Sequence, residues 1–346
     1  MKKVLLNGCE AAGEGAISAG CKFYAGYPIT PQNRFPEYMS WRLPEEGGVF
    51  IQAESEISAI NMVFGASAAG VRAMTSSSSP GISLKQEGIS YLAGCELPAV
   101  IINMNRGGPG LGDVTPSQSD YFQSTRGGGH GDYRTIVLAP WNVQEIYDLT
   151  YLAFDLADKY RTPVLVLADG MIAQIMESVK LKPKKKKFPE KKWALTGCKG
   201  RKPNSIKSLF LTPGVLETHN WKLARKYEKI EEKEIRYQEY FSDNAEIGII
   251  SFGTCARIAL EAVKKAREKG IKTSLFRPIT LWPFPYLQLS EFIKRAKKIL
   301  VVEMNLGQML DDVKIANRSN RRIFFYGRPG GGVPTPEEIF KEIKKI

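Results

Sequence analysis

Thr30 is the first side chain whose setting suggests a chemical role. Prolines at 28 and 31 enclose a short apolar core and this single hydroxyl. Because proline fixes φ and biases the preceding residue to an extended conformation, the segment is predicted to be a rigid strand end or loop that presents Thr30 in a set direction. Composition alone favours a plainer interpretation, a proline-rich connection between a strand and a helix.

Two charged residues, Arg106 and Glu56, are further candidates for a chemical role. Arg106 follows the apolar run Ala99–Met104 and precedes a glycine-rich stretch that permits close approach. Open α/β sheets bind ligands at the ends of their strands, and a guanidinium matches the geometry of a carboxylate. Each residue also has a structural explanation. Arg106 could cap a strand, and Glu56 could interact with the dipole of its helix.

The elements that would position these residues alternate along residues 1–178. This pattern predicts a mostly parallel sheet covered by helices on both faces. The predicted strands are Gly48–Ile51, Arg72–Thr75, Ala99–Met104, Thr135–Ala139 and Pro163–Ala168. The predicted helices are Ala11–Ala19, Glu54–Ala69, Gln86–Ala93 and Val143–Lys159.

Residues 179–244 are predicted to be a basic linker followed by a connector helix at His219–Phe241. Residues 245–346 alternate strands and helices again and are predicted to form a second α/β domain. The net charge of +13 is concentrated between Lys180 and Lys202, which contain eleven Lys or Arg and one acid. Such runs are usually solvated, and this one matches no recognisable nucleic-acid-binding module, so nucleic-acid binding is not expected.

The cysteines argue against a metal or disulfide site within this chain. The five cysteines include no C-x-x-C pair, which excludes the usual zinc and iron–sulfur spacings. Neither a long apolar run nor a signal peptide is present, so we expect a cytoplasmic protein with no membrane span. A redox role would therefore need its electron carriers on another subunit.

Five sequence blocks, taken together, resemble one enzyme family. In order they are Tyr27-Pro-Ile-Thr-Pro31, Glu54-Ser-Glu-Ile-Ser-Ala-Ile-Asn61, Met74-Thr-Ser-Ser-Ser-Ser-Pro-Gly-Ile-Ser-Leu-Lys-Gln-Glu-Gly88, Asn105-Arg-Gly-Gly-Pro-Gly-Leu-Gly112 and Gly127-Gly-Gly-His-Gly-Asp-Tyr133. The first looks like the YPITP signature of the 2-oxoacid:ferredoxin oxidoreductases. The chain is most similar to the alpha-type subunit of the ketoisovalerate (branched-chain) enzymes, over nearly its full length.

The resemblance implies an α/β architecture in which a thiamine diphosphate pyrimidine-binding domain precedes a transketolase C-terminal-like domain. It implies that Glu56, nine residues before Gly65, binds the aminopyrimidine of thiamine diphosphate and is catalytic, with Glu54 as the alternative. Tyr27, Pro28 and Ile29 would also contact the cofactor. Thr30 and Arg106 would bind the carboxylate of a 2-oxoacid. His130, in a glycine-rich loop, is a weaker candidate.

The resemblance also implies partners. Ala168-Asp-Gly170 is the nearest string to a diphosphate-binding G-D-G…N motif and is incomplete, so no metal site is expected in this chain. Mg²⁺ and iron–sulfur clusters would lie on partner subunits. These would be a diphosphate-binding subunit, a gamma-type subunit and a ferredoxin-like subunit, with ferredoxin as electron acceptor. Two departures from the family pattern, Cys9 and Arg34, could reshape the pocket or a partner interface.

The implied reaction is coenzyme A-dependent oxidative decarboxylation of a 2-oxoacid to an acyl-CoA, CO₂ and reduced ferredoxin, in a complex whose isolated subunit is inactive. The expected substrate is 2-ketoisovalerate, and 2-oxoglutarate is an alternative. A third hypothesis, of another class, is a non-catalytic scaffold whose basic segment docks an acidic partner.

Overall fold

A computed structural model describes residues 3–346 and contains two large sheets with helices packed around them. The predicted α/β class, with a mainly parallel sheet in each half of the chain, is confirmed. The elements up to residue 180 are β1 (Lys3–Asn7), α1 (Gly8–Ser18), β2 (Phe23–Gly26), α2 (Arg34–Glu45), β3 (Val49–Gln52), α3 (Glu56–Ala68), β4 (Ala73–Ser77), α4 (Ser79–Gly94), β5 (Ala99–Asn105), α5 (Tyr121–Arg126), β6 (Ile136–Leu138), α6 (Val143–Tyr160), β7 (Pro163–Asp169), α7 (Gly170–Gln174) and β8 (Met176–Lys180).

The remaining elements build the second sheet and its helices. They are α8 (Val215–Lys233), β9 (Tyr237–Tyr240), β10 (Ile247–Ile250), α9 (Gly253–Glu268), β11 (Thr273–Pro278), β12 (Thr280–Trp282), α10 (Tyr286–Arg295), β13 (Lys298–Glu303), α11 (Gln308–Ala316), β14 (Arg322–Gly327) and α12 (Pro336–Lys345).

The first sheet has seven strands in the order β12-β6-β7-β5-β4-β2-β3. All neighbours are parallel except the pair of β12 with β6. Every residue of β5 and β7 is buried, which explains why these strands read as continuous apolar runs that end in polar residues. Parallel strands present their carboxyl ends at one edge, so the segments that follow β2, β4 and β5 meet there.

The second sheet has five strands in the order β14-β13-β10-β11-β9, with β9 antiparallel to β11. Each large sheet thus includes one antiparallel strand, β12 in the first and β9 in the second. We call the seven-stranded sheet with its helices the first lobe and the five-stranded sheet with its helices the second lobe. The helix predicted at His219–Phe241 was wrong at its carboxyl end, because α8 ends at Lys233 and the next residues form β9. Pairing of Tyr240 with Leu275 overrides the local helical pattern.

Helix α4 is twice as long as the sequence pattern predicted at Gln86–Ala93, and it begins at Ser79. Its serine-, proline- and glycine-rich start resembles a loop by composition. Ser78 has the extended backbone of an N-cap residue, and Pro80 lies in the first turn, where its missing N–H costs nothing. The early start brings the amino end of α4 to the carboxyl edge of the first sheet.

The basic segment between Lys180 and Lys202 lies against the first lobe. Four of its lysines form ion pairs with acids of that lobe, namely Lys182–Asp148, Lys184–Glu46, Lys185–Asp155 and Lys191–Asp158. Backbone bonds from Lys185 to Ser18 and from Leu195 to Ala68, both of 2.8 Å, hold the segment along its length. Part of the excess positive charge therefore serves contacts within the chain.

No helix within residues 3–346 combines the length and the apolar character that crossing a lipid bilayer requires.

Candidate functional site

The candidate site surrounds the amino end of α4. Ser79, its first residue, has a φ of 20°, which is unusual for a residue other than glycine. The Ser79 N–H donates to Asn103 Oδ1 at 3.2 Å, and the N–H of Arg106 donates to Ser79 Oγ at 3.0 Å. These bonds tie the start of α4 to the end of β5. The tight turn from β4 into α4 is thereby fixed at the sheet edge.

Glu56 is the first residue of α3 and is buried, with 6% of its surface exposed. Its Oε1 lies 2.7 Å from the position that a Cβ would take at residue 81, so only glycine leaves room for the carboxylate there. Within residues 3–346 the carboxylate forms no side-chain hydrogen bond or ion pair, although buried polar groups nearly always have partners.

Arg106 and Thr30 are in direct contact. Arg106 is 8% exposed, and its Nη1 donates to the Thr30 carbonyl at 2.9 Å while Nη2 donates to the Leu111 carbonyl at 3.0 Å. Its Nε is buried and has no hydrogen-bond partner among residues 3–346. Thr30 is exposed, and its hydroxyl accepts a bond from Asn33 at 3.2 Å. The pair therefore presents a guanidinium and a hydroxyl at one place.

Gln32 holds the proline-rich loop in position. This residue is fully buried; its N–H donates to the Ile29 carbonyl at 3.0 Å, and its Oε1 accepts from Ser76 Oγ at 2.5 Å. Ser76 also bonds the Tyr24 hydroxyl at 2.8 Å, which ties the loop to β4. Tyr27 and Pro28 are exposed and Ile29 is partly buried, so the loop is accessible beside Thr30.

Several buried polar atoms at this edge of the sheet have no hydrogen-bond partner in the described part of the chain. They belong to the residues that end β4 and β5, and they are Thr75 Oγ1, Ser77 Oγ, Ser78 Oγ, Asn105 Oδ1 and Nδ2, and Arg106 Nε. Such atoms normally find partners, because burying them unpaired costs about 1–3 kcal/mol each. Their concentration at the site points to a polar ligand.

The remaining sequence candidates lie apart from this cluster. Glu54 is exposed and bonded to Ser58. His130 is exposed and lines a small cavity with His219 beside the carboxyl half of α4. Asp169 caps α7, since its Oδ1 accepts from the N–H groups of Met171 at 2.9 Å and Ile172 at 3.2 Å. Burial raises the pKa of Asp169.

The two departures from the family pattern have local explanations. Arg34 is exposed and pairs with Glu10 at 3.0 Å and with Glu37 at 2.8 Å. Cys9 is fully buried in α1, and burial raises the pKa of its thiol to about 12, so it behaves as a small apolar residue.

Sequence reasoning missed Gln32, Asn105, Ser77 and Lys85 as parts of the site. A signal for most of them exists, because polar residues that end apolar strand runs are expensive to bury without a purpose. Lys85 gave no such signal, since a lysine in a helix is ordinarily exposed. Its full burial follows only from the packing of α4 on α3.

Comparison with known proteins identifies the class that this fold and site define. The chain matches the family described as pyruvate flavodoxin/ferredoxin oxidoreductase, thiamine diphosphate-binding, over residues 14–241. It also matches pyruvate:ferredoxin oxidoreductase core domain II over residues 245–339. The chain belongs to this family, the 2-oxoacid:ferredoxin oxidoreductases, and the resemblance read from the sequence motifs is confirmed.

Relatives are similar over their full lengths. The chain is 47% identical to the ketoisovalerate oxidoreductase subunit VorB of Methanothermobacter marburgensis, covering 100% of this chain and 98% of the relative. It is 37% identical to the 2-oxoglutarate synthase subunit KorA of the same organism, covering 99% and 98%. Both relatives are named as subunits, one of a ketoisovalerate oxidoreductase and the other of a 2-oxoglutarate synthase.

Solved structures share the fold. A 2-oxoglutarate:ferredoxin oxidoreductase from Magnetococcus marinus, with 2-oxoglutarate, coenzyme A and succinyl-CoA bound, matches with a TM-score of 0.88 and 29% identity. The match covers 99% of this chain and 65% of that chain. A split-gene transketolase in an inactive beta4 tetramer matches with a TM-score of 0.61 at 13% identity, which supports the fold alone.

The residues at the amino end of α4 fit the aminopyrimidine half of thiamine diphosphate. An aminopyrimidine offers ring nitrogens and an amino group, and the site offers a buried carboxylate at Glu56 and unpaired hydroxyls at Ser77 and Ser78. Because residue 81 is a glycine, no Cβ occupies the space beside the Glu56 carboxylate. The charge and hydrogen-bonding capacity of the site therefore match that group.

Proposed function

We propose that this chain is the subunit of a 2-oxoacid:ferredoxin oxidoreductase that binds the aminopyrimidine of thiamine diphosphate and the 2-oxoacid. The observation that carries the proposal is the convergence of Glu56, Arg106 and Thr30 on the amino end of α4. The reaction is the coenzyme A-dependent oxidative decarboxylation of the 2-oxoacid to an acyl-CoA, with electrons passed to ferredoxin.

Glu56 is assigned the catalytic role. When bound, thiamine diphosphate supplies a nucleophilic carbon that attacks the 2-oxo carbon and accepts the electron pair released with CO₂. Glu56 would share a proton with a nitrogen of the pyrimidine ring through its buried carboxylate, and so set the proton affinity at that ring. Tyr27, Pro28 and Ile29 would form the apolar contact beside it.

Arg106 and Thr30 are assigned to the substrate carboxylate. The free Nε of Arg106 is a charged donor, and the two carbonyl bonds of its other nitrogens fix the plane of the guanidinium. The Thr30 hydroxyl would add one hydrogen bond. A positioned carboxylate keeps the 2-oxo carbon in one orientation for attack.

The proposed substrate is 2-ketoisovalerate. The full-length similarity is greater to the ketoisovalerate relative than to the 2-oxoglutarate relative, at 47% against 37% identity. A cavity of about 590 Å³ lies near Arg106, which is bonded to one of its lining residues, Ser79; Pro80, Gly108, Pro109 and Leu306 also line it. Its described lining includes no Lys, Arg or His, as suits an uncharged substrate side chain better than a second carboxylate.

Partner subunits complete the proposed enzyme. Asp169, in the string closest to a diphosphate-binding motif, is used to cap α7, so the diphosphate and Mg²⁺ are assigned to a partner. We assign the iron–sulfur clusters to gamma-type or ferredoxin-like partners and the electrons to ferredoxin.

The test is viologen reduction by the complex that purifies with a tagged copy of this chain. The assay contains coenzyme A and, separately, 2-ketoisovalerate, 2-oxoglutarate or pyruvate. Fastest reduction with 2-ketoisovalerate is expected. A preference for 2-oxoglutarate would overturn the substrate, and no reduction with any acid would favour the scaffold hypothesis.

Glu56→Gln tests the catalytic residue in the same complex. Its turnover should fall by about 100-fold or more, because the amide cannot exchange the proton. Glu54→Gln is the matched control, since Glu54 is an exposed glutamate two residues away, and its turnover should be unchanged. An active Glu56→Gln complex that contains its cofactor would contradict the assignment.

A further inference from the structure

Lys85 is a buried cation beside the site that the proposed mechanism does not yet use. No part of its surface is exposed. Its Nζ donates one hydrogen bond, of 3.3 Å, to the backbone carbonyl of Glu56, and it forms no ion pair within 4.0 Å in residues 3–346. Lysine is among the residues least often fully buried, because an ammonium loses its hydration there. Its presence therefore requires a physical reason.

The packing of α4 on α3 holds Lys85 against the turn that carries Glu56. Gly81, Lys85 and Gly88 are four and three residues apart, so they share one face of α4. A Cβ at residue 81 would meet the Glu56 carboxylate, and one at residue 88 would lie 2.5 Å from Ile60 Cγ2. The two glycines thus bring the helices close together, and Lys85 lies between these contacts.

The charges of Lys85 and Glu56 act on each other inside the protein. Burial lowers the pKa of the Lys85 ammonium to about 8, and the negative charge of Glu56 opposes that change. Glu56 is the charged group of α3 that acts on Lys85. Glu87, the acid nearest in sequence on α4, is exposed and bonds Tyr91. In this dry setting a charge pair interacts more strongly than at the surface.

We propose that Lys85 is a positioning residue for Glu56. Its ammonium anchors the first turn of α3 through the Glu56 carbonyl and places a positive charge behind the turn that carries the carboxylate. The inference rests on the proposed function of Glu56, and it gives a role to a lysine that lies within the Met74–Gly88 block but was assigned none there. A residue of purely structural value at this place would be an apolar one, since burying an ammonium costs stability.

Lys85→Met tests this role, because methionine keeps the length of the side chain and removes the charge. In the assembled complex, depleted of cofactor, the Kd for thiamine diphosphate should rise about tenfold, as expected for the loss of one charged interaction. The acid limb of the pH–rate profile should move up by about one pH unit, because loss of a buried positive charge makes protonation within the site easier. The thermal midpoint should be unchanged or higher.

Lys226→Met is the matched control. Burial also lowers the pKa of Lys226 to about 8, but this lysine pairs with Glu96 on another part of the surface. Its loss should change neither the Kd for thiamine diphosphate nor the pH–rate profile. If Lys85→Met does not assemble, Lys85→Gln removes the same charge while retaining a donor for the Glu56 carbonyl, and the same two shifts are expected.

Glu56→Gln is measured alongside, so that the two proposals can fail separately. If Glu56→Gln abolishes turnover and the Lys85 variants match Lys226→Met in both measurements, the role of Lys85 is overturned and the proposed function stands. If Glu56→Gln remains active, the proposed function itself fails. A Lys85 variant that loses stability but keeps the wild-type Kd and pH profile would assign Lys85 to packing alone.

Discussion

Arg106 shows how a single side chain can be buried and still remain available for a ligand. Two of its nitrogens are satisfied by the carbonyls of Thr30 and Leu111, which come from different loops. The third, Nε, has no protein partner. Because the guanidinium is planar, fixing two nitrogens also fixes the direction of the third. The residue is thus both a link between loops and an oriented donor.

Arg106→Lys should raise the KM for the 2-oxoacid by about tenfold or more, because an ammonium cannot reach both carbonyls and present a third donor. The thiamine diphosphate content should stay unchanged, since the Glu56 side of the site is untouched. Steady-state viologen reduction and a cofactor assay measure the two quantities. Arg34→Lys is the control, because Arg34 is an exposed arginine that is bonded to carboxylates. A normal KM for the 2-oxoacid in Arg106→Lys would argue against substrate binding by Arg106.

At the scale of elements, the contact of α3 with α4 sets the position of Glu56. Gly88 faces Ile60, and Gly81 faces the Glu56 carboxylate. These glycines do not serve turns. Because neither position carries a side chain, the two helices can approach closely, and a shift of α3 relative to α4 would displace the Glu56 carboxylate from the site.

Gly88→Ala should destabilise the fold by about 1–3 kcal/mol and reduce turnover, because the new methyl would overlap Ile60 and push the helices apart. Thermal denaturation and viologen reduction of the complex measure both effects. Gly65→Ala is the matched control in α3, since nothing lies within 4 Å of its added Cβ. Alanine favours a helix over glycine, so that variant should be slightly more stable. Equal behaviour of the two variants would refute the packing argument.

At the scale of the whole molecule, the loop before α5 joins the two lobes. Gln118 is 3% exposed, and its Nε2 donates to the Phe252 carbonyl at 2.8 Å while its Oε1 accepts from the Met304 N–H at 3.1 Å. Its backbone carbonyl accepts from Asn305 at 2.9 Å. The lobes are therefore linked by directed bonds close to the cavity beside Arg106.

Gln118→Met should lower stability by about 2 kcal/mol, because it leaves the buried Met304 N–H without its partner and removes one of the two bonds to the Phe252 carbonyl. Differential scanning calorimetry of the complex should show a lower midpoint. Gln123→Met, which removes a bond to Ser83 within one lobe, is the control and should have a smaller effect. An unchanged thermal midpoint for Gln118→Met would mean that water or a local rearrangement replaces the hydrogen bonds that Gln118 makes to Phe252 and Met304.

Local sequence patterns were enough to predict the class of fold, the family and most strands of both sheets, because apolar runs and turn residues are local signals. They also singled out Glu56, Arg106 and Thr30, whose roles remain predictions. Polar residues at strand ends are readable in a sequence since burial makes them expensive without a partner.

Only the tertiary structure decided how these residues are arranged. It revealed the early start of α4, the formation of β9 beyond α8 and the burial of Lys85, none of which the local sequence predicts. It also showed that the basic segment pairs with acids of the first lobe. The physical reason is that pairing across a sheet and the close approach of two helices depend on residues distant in sequence, whose contacts outweigh local preference.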